Sequence, residues 1–217
     1  KMGDVMERED ALKKLSLLKG QDLNALAATY EVTVKTAAGQ TNKGWAGHVC
    51  ERYLGIPLNS AQSPNFGSWE LKSIPLKRMK NGELAFKETM AITMIDPYQV
   101  ARTPFEQSHL LAKLKKAVCV ARMVGTADEP SVVYSVTPID LTGDLYLAVK
   151  KDYEAVQDCI NTRGFNALTG SMGTYIQPRT KGAGHGSTSR AFYARKIFLA
   201  QFIALNPAID ELSSLSF

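Results

Sequence analysis

A carboxylate and an ammonium alternate in the segment Trp69-Glu70-Leu71-Lys72, which has the residue pattern of a β-strand. Side chains point alternately to the two faces of a strand, so Glu70 and Lys72 are expected on one face. A carboxylate binds Mg²⁺, and the bound metal polarises a phosphate and helps to generate hydroxide. A neighbouring lysine orients the attacking water or stabilises developing negative charge. The spacing therefore suits hydrolysis of a phosphate ester, although Glu-x-Lys pairs are also common on exposed strands.

Two upstream segments can complete such a site. The loop Ser63-Pro64-Asn65-Phe66-Gly67 precedes the strand and can deliver another oxygen ligand. The helix predicted from Asn42 onwards ends near Glu51 and can bring that carboxylate to the strand. The alternative for Glu51 is a surface carboxylate that pairs with Arg52 or Lys43.

The apolar pattern predicts the elements that must position these residues. Helices are predicted at 10–18, 22–30, 45–54, 108–116, 145–160 and 192–205. Strands are predicted at 69–76, 88–95, 117–124, 131–136 and 174–177, with a turn at Asn81-Gly82 and the first strand ending near Pro75. Strands interleaved with helices predict an α/β or α+β fold, a mixed β-sheet flanked by helices on both faces. Residues 179–190 are predicted to be a glycine-rich loop, and the tail after Pro207 is predicted to be peripheral.

The composition of the 217 residues is that of one ordinary globular domain, with 45% hydrophobic and 22% charged residues. No apolar run approaches the roughly 20 residues of a membrane span, and the N-terminus lacks the apolar core of a signal peptide. The sequence therefore argues against integral membrane and secreted proteins and favours a cytosolic protein. Cys50, Cys119 and Cys159 are widely spaced and odd in number, which predicts buried, reduced thiols and no structural zinc.

The formal net charge of +5 matters less than its distribution. Basic residues cluster at 77–80, at 113–116 and between Arg179 and Lys196. A solvated face is the ordinary interpretation of such a cluster, and this applies to Lys113 and its neighbours. Three clusters in one short chain also favour an anionic partner. Trp45 and Trp69 are assigned to the core.

Several segments, in this order, resemble the MutH family of DNA endonucleases, within the PD-(D/E)XK nuclease superfamily. The resemblance covers roughly residues 10–205 and depends on the ordered set rather than on any single motif. The segments that carry it are Leu17-Leu18 through Ala27-Ala28, Asn42-Lys43-Gly44-Trp45-Ala46-Gly47 with Glu51, Glu70-Leu71-Lys72-Ser73-Ile74-Pro75, Glu88-Thr89, Ser108-His109 through Lys115, Tyr175-Ile176-Gln177 with Arg179-Thr180-Lys181-Gly182, and Phe192-Tyr193 with Arg195-Lys196.

The resemblance implies a role for each matched residue. Glu70 and the backbone carbonyl of Leu71 would bind Mg²⁺, for which Mn²⁺ can substitute, and Lys72 would be the catalytic lysine. Glu51 would assist the site, and Lys113 would contact the scissile region. The positions that would contact or read double-stranded DNA are Lys43, Gly44, Glu88, Arg179, Thr180, Lys181 and Tyr193. The expected target is GATC, and Arg179 and Glu88 are chemically suited to reading base edges.

One position departs from the family pattern. The family's first metal ligand is an aspartate in a Pro-Asp-Phe-like loop, whereas this chain has Pro64-Asn65-Phe66. A neutral amide is a poorer Mg²⁺ ligand than a carboxylate. Asn65 is either an engineered substitution, a natural residue compensated by Glu51 or another carboxylate, or the mark of a nuclease fold that binds DNA and cuts poorly.

The resemblance implies a single endonuclease domain over residues 1–217. Its catalytic core would occupy about 1–125 and its DNA-reading part about 126–205, with a DNA cleft between two lobes. The implied function is a Mg²⁺-dependent, sequence-specific endodeoxyribonuclease, favoured as a type II restriction enzyme. The alternatives are a mismatch-repair strand nickase and a DNA-binding module without efficient cleavage. The implied partners are double-stranded DNA and either a cognate methyltransferase system or a mismatch-repair ATPase, with no membrane.

Overall fold

The computed structural model describes residues 6–56, 68–124, 129–182 and 188–207. The helices are α1 (Arg8–Ser16), α2 (Leu23–Thr29), α3 (Trp45–Leu54), α4 (Pro97–Arg102), α5 (His109–Leu114), α6 (Gly143–Arg163) and α7 (Lys196–Leu199). The strands are β1 (Glu70–Arg78), β2 (Leu84–Phe86), β3 (Met90–Met94), β4 (Lys116–Met123), β5 (Val133–Asp140), β6 (Ile176–Thr180) and β7 (Arg190–Ala194). Within these ranges no helix has the length and apolar character needed to cross a bilayer. Asn65 and the tail after residue 207 lie outside the described residues.

The described strands form two sheets. A four-stranded sheet has the order β2-β1-β4-β5, in which β1 and β4 are parallel and the other pairs are antiparallel. A three-stranded antiparallel sheet has the order β3-β7-β6. The predicted mixed α/β class, with mixed sheet and flanking helices, is confirmed, and its strands are divided between two sheets.

The central strand β4 separates two apolar cores. Val118 and Val120 point into a core shared with α1, α2 and α3. Ala117, Cys119 and Ala121 point into a core shared with α5, α6, α7 and the three-stranded sheet. This alternation follows from the two-residue period of a strand that is buried on both faces. Because the second set is small, it leaves room beside β1 for long side chains.

The first strand is longer than the pattern predicted. Instead of ending near Pro75, β1 continues to Arg78. Pro75 has no N–H to donate, and it lies just before the register with β2 begins at Leu76, where only its carbonyl is needed, to accept from the Lys87 N–H. The Asn81-Gly82 turn is confirmed, but it leads into the three-residue strand β2, which the sequence pattern missed.

The region from 192 to 205 is not the predicted helix. Residues 190–194 form the central strand β7 of the second sheet, and a four-residue helix, α7, follows. Phe192 is buried in the core whereas Tyr193 is half-buried on the opposite face, which is the alternation of a strand. Strand β6 likewise extends to Thr180, so Arg179 and Thr180 lie in a strand and not in a loop.

The helices follow their predictions more closely. Helix α3 has the predicted bounds and lies between Gly44 and Gly55, both with positive φ. Helix α6 passes through Asn161 and ends before Gly164. All three cysteines are buried free thiols, and Trp45 and Trp69 are buried, as predicted.

Candidate active site

Glu70 and Lys72 lie on the same face of β1, as the spacing predicted. The Lys72 Nζ is 3.8 Å from a Glu70 carboxylate oxygen, and the Glu70 side chain is 4% exposed. On the neighbouring strand they pair with Ala117 and Cys119, whose small side chains leave space above β4. The register of β1 on β4 therefore creates a buried recess that holds a carboxylate and an ammonium side by side.

A second lysine enters this recess from α5. The Lys113 Nζ is 3.3 Å from each of the two Glu70 carboxylate oxygens. Helix α5 begins at Ser108, whose hydroxyl accepts a hydrogen bond from the Leu111 N–H at 3.1 Å. Lys113 lies on the buried face of α5 together with Leu110, Leu111 and Leu114. The ordinary interpretation of Lys113 as a solvated helix residue is therefore wrong, whereas Lys115 and Lys116 are exposed.

The Lys72 ammonium is held by the second sheet as well as by Glu70. It donates to the Ala91 carbonyl at 3.1 Å and to the Ile92 carbonyl at 3.2 Å. The pairing of β3 with β7 shifts register between Ala91 and Thr93, and this bulge lies where the two carbonyls meet Lys72. Burial lowers the pKa of Lys72, an effect that Glu70 opposes and that Lys113 and Lys181 reinforce.

The oxygen donors beside this recess suit a divalent cation in chemical type. Carboxylate and carbonyl oxygens are the ligands that Mg²⁺ prefers. The Pro75 carbonyl accepts from Lys87 on the β2 side and the Leu76 carbonyl accepts from Val124 on the β4 side. Because carbonyls alternate along a strand, the Leu71 carbonyl points to the same side as that of Pro75, away from β4. Glu70 and Leu71 thus present two oxygens at the start of β1.

A third protein ligand would come from outside the described ranges. In residues 6–56, 68–124, 129–182 and 188–207, no three acidic, histidine or cysteine side chains gather into a metal-binding group. Asn65, which was predicted to be a ligand, lies outside these ranges. The described donors therefore fit a divalent metal but supply only part of its coordination.

Glu51 is buried on α3, with 6% of the residue exposed. Helix α3 packs on the face of the four-stranded sheet that carries Leu71, whereas Glu70 and Lys72 face the other core. Glu51 is therefore not the surface carboxylate of the sequence alternative, and the Arg52 guanidinium donates to the carbonyls of Tyr30 and Glu31. The assisting role of Glu51 remains a prediction.

The second sheet brings together two of the predicted DNA-reading residues. Arg179 on β6 extends across the central strand, where its guanidinium lies 5.1 Å from the ring centroid of Tyr193. The same guanidinium donates to the Thr89 hydroxyl at 2.7 Å, just before β3. Arg179 is exposed and Tyr193 half-buried, so a planar cation is presented on a rigid aromatic support.

The other predicted DNA-contacting residues are spread around this surface. Lys43 is exposed and Gly44 precedes α3 with φ of +82°, at the helix N-terminus. Glu88 is exposed beside Thr89 and acts electrostatically on Arg122, whose pKa burial lowers and Glu88 raises. Thr180 and Lys181 are exposed at the end of β6. Lys181 is close enough to influence the pKa of Lys72, which links the end of β6 to the recess.

Sequence reasoning missed the pair of residues that anchors the start of β6. The buried Asp152 carboxylate on α6 accepts from the backbone N–H groups of Thr174, Tyr175 and Ile176 at 2.7–2.9 Å. Arg195 donates to three carbonyls of the same segment, those of Gly170, Met172 and Gly173. An aspartate beside Val149 and Tyr153 on the apolar face of a helix was the available signal.

Gly173 shows how tightly this anchored segment is folded. Its φ is +81°, and a Cβ there would lie 1.8 Å from the Ile176 carbonyl oxygen and 3.3 Å from the Asp152 Cγ. The turn into β6 is therefore closed to any larger residue.

The chain is similar to several known proteins. A family model described as the DNA mismatch repair enzyme MutH matches residues 54–142, which include Glu70, Lys72 and Lys113. The chain is 27% identical to the DNA mismatch repair protein MutH of Haemophilus influenzae (strain PittGG), over 93% of this chain and 96% of that protein. It is 28% identical to the type II restriction enzyme Sau3AI of Staphylococcus aureus, over 70% of this chain but only 32% of that enzyme. The chain thus spans about a third of the length of Sau3AI and nearly all of MutH.

Among solved structures, the chain is similar to the restriction endonuclease MvaI in a complex with cognate DNA. That match has a TM-score of 0.37 and 13% identity, and it covers 85% of this chain and 97% of the other.

The Glu70-Leu71-Lys72 strand lies within the segment that the MutH family model matches. The chain is thus similar to the MutH family of DNA endonucleases, and its relatives include both MutH and Sau3AI.

Proposed function

We propose that the chain is a Mg²⁺-dependent, sequence-specific endodeoxyribonuclease that cleaves double-stranded DNA at GATC or a similar short site. The observation that carries the proposal is the buried contact of Glu70 with two lysines, Lys72 at 3.8 Å and Lys113 at 3.3 Å. With both lysines protonated, these three groups carry a net positive charge in a recess of low exposure. Such a recess favours an anion, and a DNA phosphate supplies one.

Each residue of the recess has a distinct task in this proposal. Glu70 and the Leu71 carbonyl would hold the divalent metal, with residue 65 as a further ligand. When bound, the metal supplies Lewis-acid stabilisation of the phosphate and a more acidic water. The Ala91 and Ile92 carbonyls hold the Lys72 ammonium in place, and from there it would orient the attacking water. Lys113 offers a second ammonium to the scissile phosphate.

Sequence would be read on the three-stranded sheet. Arg179 has the planar donor set that suits the edge of guanine, and the carboxylate of Glu88 suits an amino group of cytosine. Tyr193 and Thr89 hold the guanidinium in a fixed plane before DNA arrives. Lys43, Thr180 and Lys181 are suited to phosphate contacts, which orient a protein on DNA without reading sequence.

The proposed unit is the single domain of the sequence prediction, with a catalytic part at about 1–125 and a reading part at about 126–205. We favour a type II restriction enzyme, as the sequence resemblance does. A mismatch-repair nickase is the second candidate, supported by the match over 96% of H. influenzae MutH. A methyltransferase partner belongs to the first candidate and a mismatch-repair ATPase to the second, and both imply a cytoplasmic, nucleoid-associated protein.

The test is cleavage of supercoiled plasmid DNA that contains GATC sites, in Mg²⁺, by this chain and by its Asn65→Asp variant. The Asn65→Asp/Lys72→Ala double variant is the negative control. Cleavage by Asn65→Asp alone supports the endonuclease and identifies Asn65 as the residue that disarms it. Cleavage by both shows that the site tolerates an amide. Linear product supports a restriction enzyme, whereas open-circular product alone supports a nickase.

If neither chain cleaves DNA, the salt dependence of DNA binding distinguishes the remaining candidates. A protein that neutralises several DNA phosphates loses affinity with salt at a log–log slope of about −0.9 per contact. Steep salt dependence without cleavage by either chain supports the DNA-binding module. A flat salt response together with no cleavage contradicts every DNA-directed function proposed here.

A further inference from the structure

Lys113 forms an ion pair with the Glu70 carboxylate, the same group that we propose as a metal ligand. Its Nζ is equidistant from the two Glu70 oxygens, at 3.3 Å from each. Both side chains are almost completely buried, 8% and 4% exposed. Helix α5 fixes this approach because Lys113 lies between the buried residues Leu110 and Leu114. The carboxylate therefore already has a cationic partner within its own chain.

A divalent ion and the Lys113 ammonium compete for the negative charge of the Glu70 carboxylate. Mg²⁺ binds carboxylate oxygens at about 2.0–2.1 Å, which brings a second cation close to the Lys113 Nζ. Charges that are a few ångströms apart interact far more strongly in a buried site than in water. Ion binding at Glu70 is therefore opposed as long as the Lys113 ammonium remains on the carboxylate.

Lys72 and Lys113 differ in how they are held. The Lys72 ammonium also donates to two main-chain carbonyls of β3, which fix its position whatever happens at Glu70. The Lys113 ammonium, at the end of a flexible four-carbon side chain, instead donates to the two carboxylate oxygens of Glu70. An incoming phosphate oxygen is an equally good acceptor for that ammonium.

We propose that Lys113 is an internal counterion that competes with the divalent metal for Glu70 and transfers to a DNA phosphate when substrate binds. The metal affinity of the free protein is thereby kept low, and it rises once duplex DNA supplies the second anion. This inference rests on the proposed function, since it takes Glu70 as a metal ligand.

The test measures binding of Mn²⁺ alone to the whole chain, by electron paramagnetic resonance of the free ion, without DNA. Lys113→Met removes the charge and keeps the length of the side chain, and it is expected to tighten Mn²⁺ binding at least about tenfold. Lys115→Met is the matched control, because Lys115 is an exposed lysine two residues after Lys113, at the end of α5. This variant is expected to bind Mn²⁺ as the unmodified chain does. Duplex DNA is expected to tighten Mn²⁺ binding to the unmodified chain more than to Lys113→Met.

Unchanged or weaker Mn²⁺ binding by Lys113→Met overturns the proposal, because Lys113 would then support the metal site rather than oppose it. Lys113→Gln, which retains a hydrogen-bond donor without charge, decides the matter if Lys113→Met fails to fold. Glu70→Gln separates this proposal from the proposed function. If Glu70→Gln binds Mn²⁺ as well as the unmodified chain, the metal site itself is wrong. If only Glu70→Gln loses the ion and both Lys113 variants are unchanged, the competition alone is wrong.

Discussion

The two sheets of this protein differ in whether the charged side chains beside them are buried or exposed. At the four-stranded sheet, Lys72 of β1 and Lys113 of α5 both contact the buried carboxylate of Glu70. On the three-stranded sheet, the charged side chain of Arg179 is exposed, with a hydroxyl and an aromatic ring as its neighbours. In the free protein the first sheet thus pairs its charged groups internally, and the second presents a charge to the outside.

The difference shows where rigidity is required. Chemistry needs groups held within a fraction of an ångström, and burial with mutual pairing achieves this. Recognition needs side chains that exchange their partners for those of a ligand. In the second sheet the rigidity lies instead in the main chain, where Asp152 and Arg195 bind the segment before β6 from both sides.

The largest expected effect separates chemistry from binding. In whichever of the unmodified chain and Asn65→Asp cleaves DNA, Lys72→Ala should lower the single-turnover cleavage rate by roughly 10²–10⁴-fold, because it removes the ammonium that we propose orients the attacking water. DNA affinity should be nearly unchanged. Lys80→Ala, in the exposed turn between β1 and β2, is the control. Normal cleavage by Lys72→Ala would mean that the active site has been misplaced.

The next effect concerns stability. Glu70→Gln leaves two buried ammonium groups without their carboxylate, and it should lower the free energy of unfolding by about 3 kcal/mol. Urea denaturation followed by circular dichroism measures this. Glu106→Gln removes the partner of Lys150 in an exposed ion pair and should change stability very little. Equal losses in the two variants would contradict the contrast between buried and exposed pairs.

A smaller effect is expected at the anchor of the reading strand. Asp152→Ala removes the acceptor of three backbone N–H groups, and it should lower the free energy of unfolding by about 1–3 kcal/mol. It should also reduce discrimination between GATC and altered sites, because the start of β6 is no longer fixed. Competition binding against both duplexes tests this. A destabilised protein with full discrimination would make the anchor purely structural.

The smallest effect is expected from a single exposed lysine. Lys181→Ala should weaken binding to all sequences alike and reduce the steepness of the log–log salt dependence by about 0.9. Titrations at several salt concentrations measure the slope. A change in sequence preference with an unaltered slope would assign Lys181 to base reading rather than to phosphate contact.

The sequence predicted the local features of the four-stranded sheet well. The period of two in Glu70-Leu71-Lys72 correctly predicted a shared face, and the predicted helix at 45–54 has the bounds of α3. The sequence did not predict that Lys113 is buried, because helical spacing alone does not tell which neighbour covers a basic residue. Its partner is Glu70 on β1, which lies 43 residues earlier in the chain.

The second sheet was harder to predict. Ala191-Phe192-Tyr193-Ala194 is apolar on both sides, so its pattern fits a buried helix as well as a central strand. Strand β2 has three residues, too few for a periodic signal. The Arg179–Thr89 contact joins residues 90 apart, and such pairing follows from the sheet order rather than from local pattern.

We propose that chemistry and sequence reading reside on different sheets. This is tested by comparing the Kd for a GATC duplex with the Kd for the same duplex carrying one altered base pair, in EDTA, for the unmodified chain, Lys72→Ala and Arg179→Ala. Lys72→Ala should keep the ratio of the unmodified chain, whereas Arg179→Ala should reduce it about tenfold, in line with the roughly 1–3 kcal/mol expected for one base contact. Equal loss of discrimination in both variants, or no loss in Arg179→Ala, would contradict it.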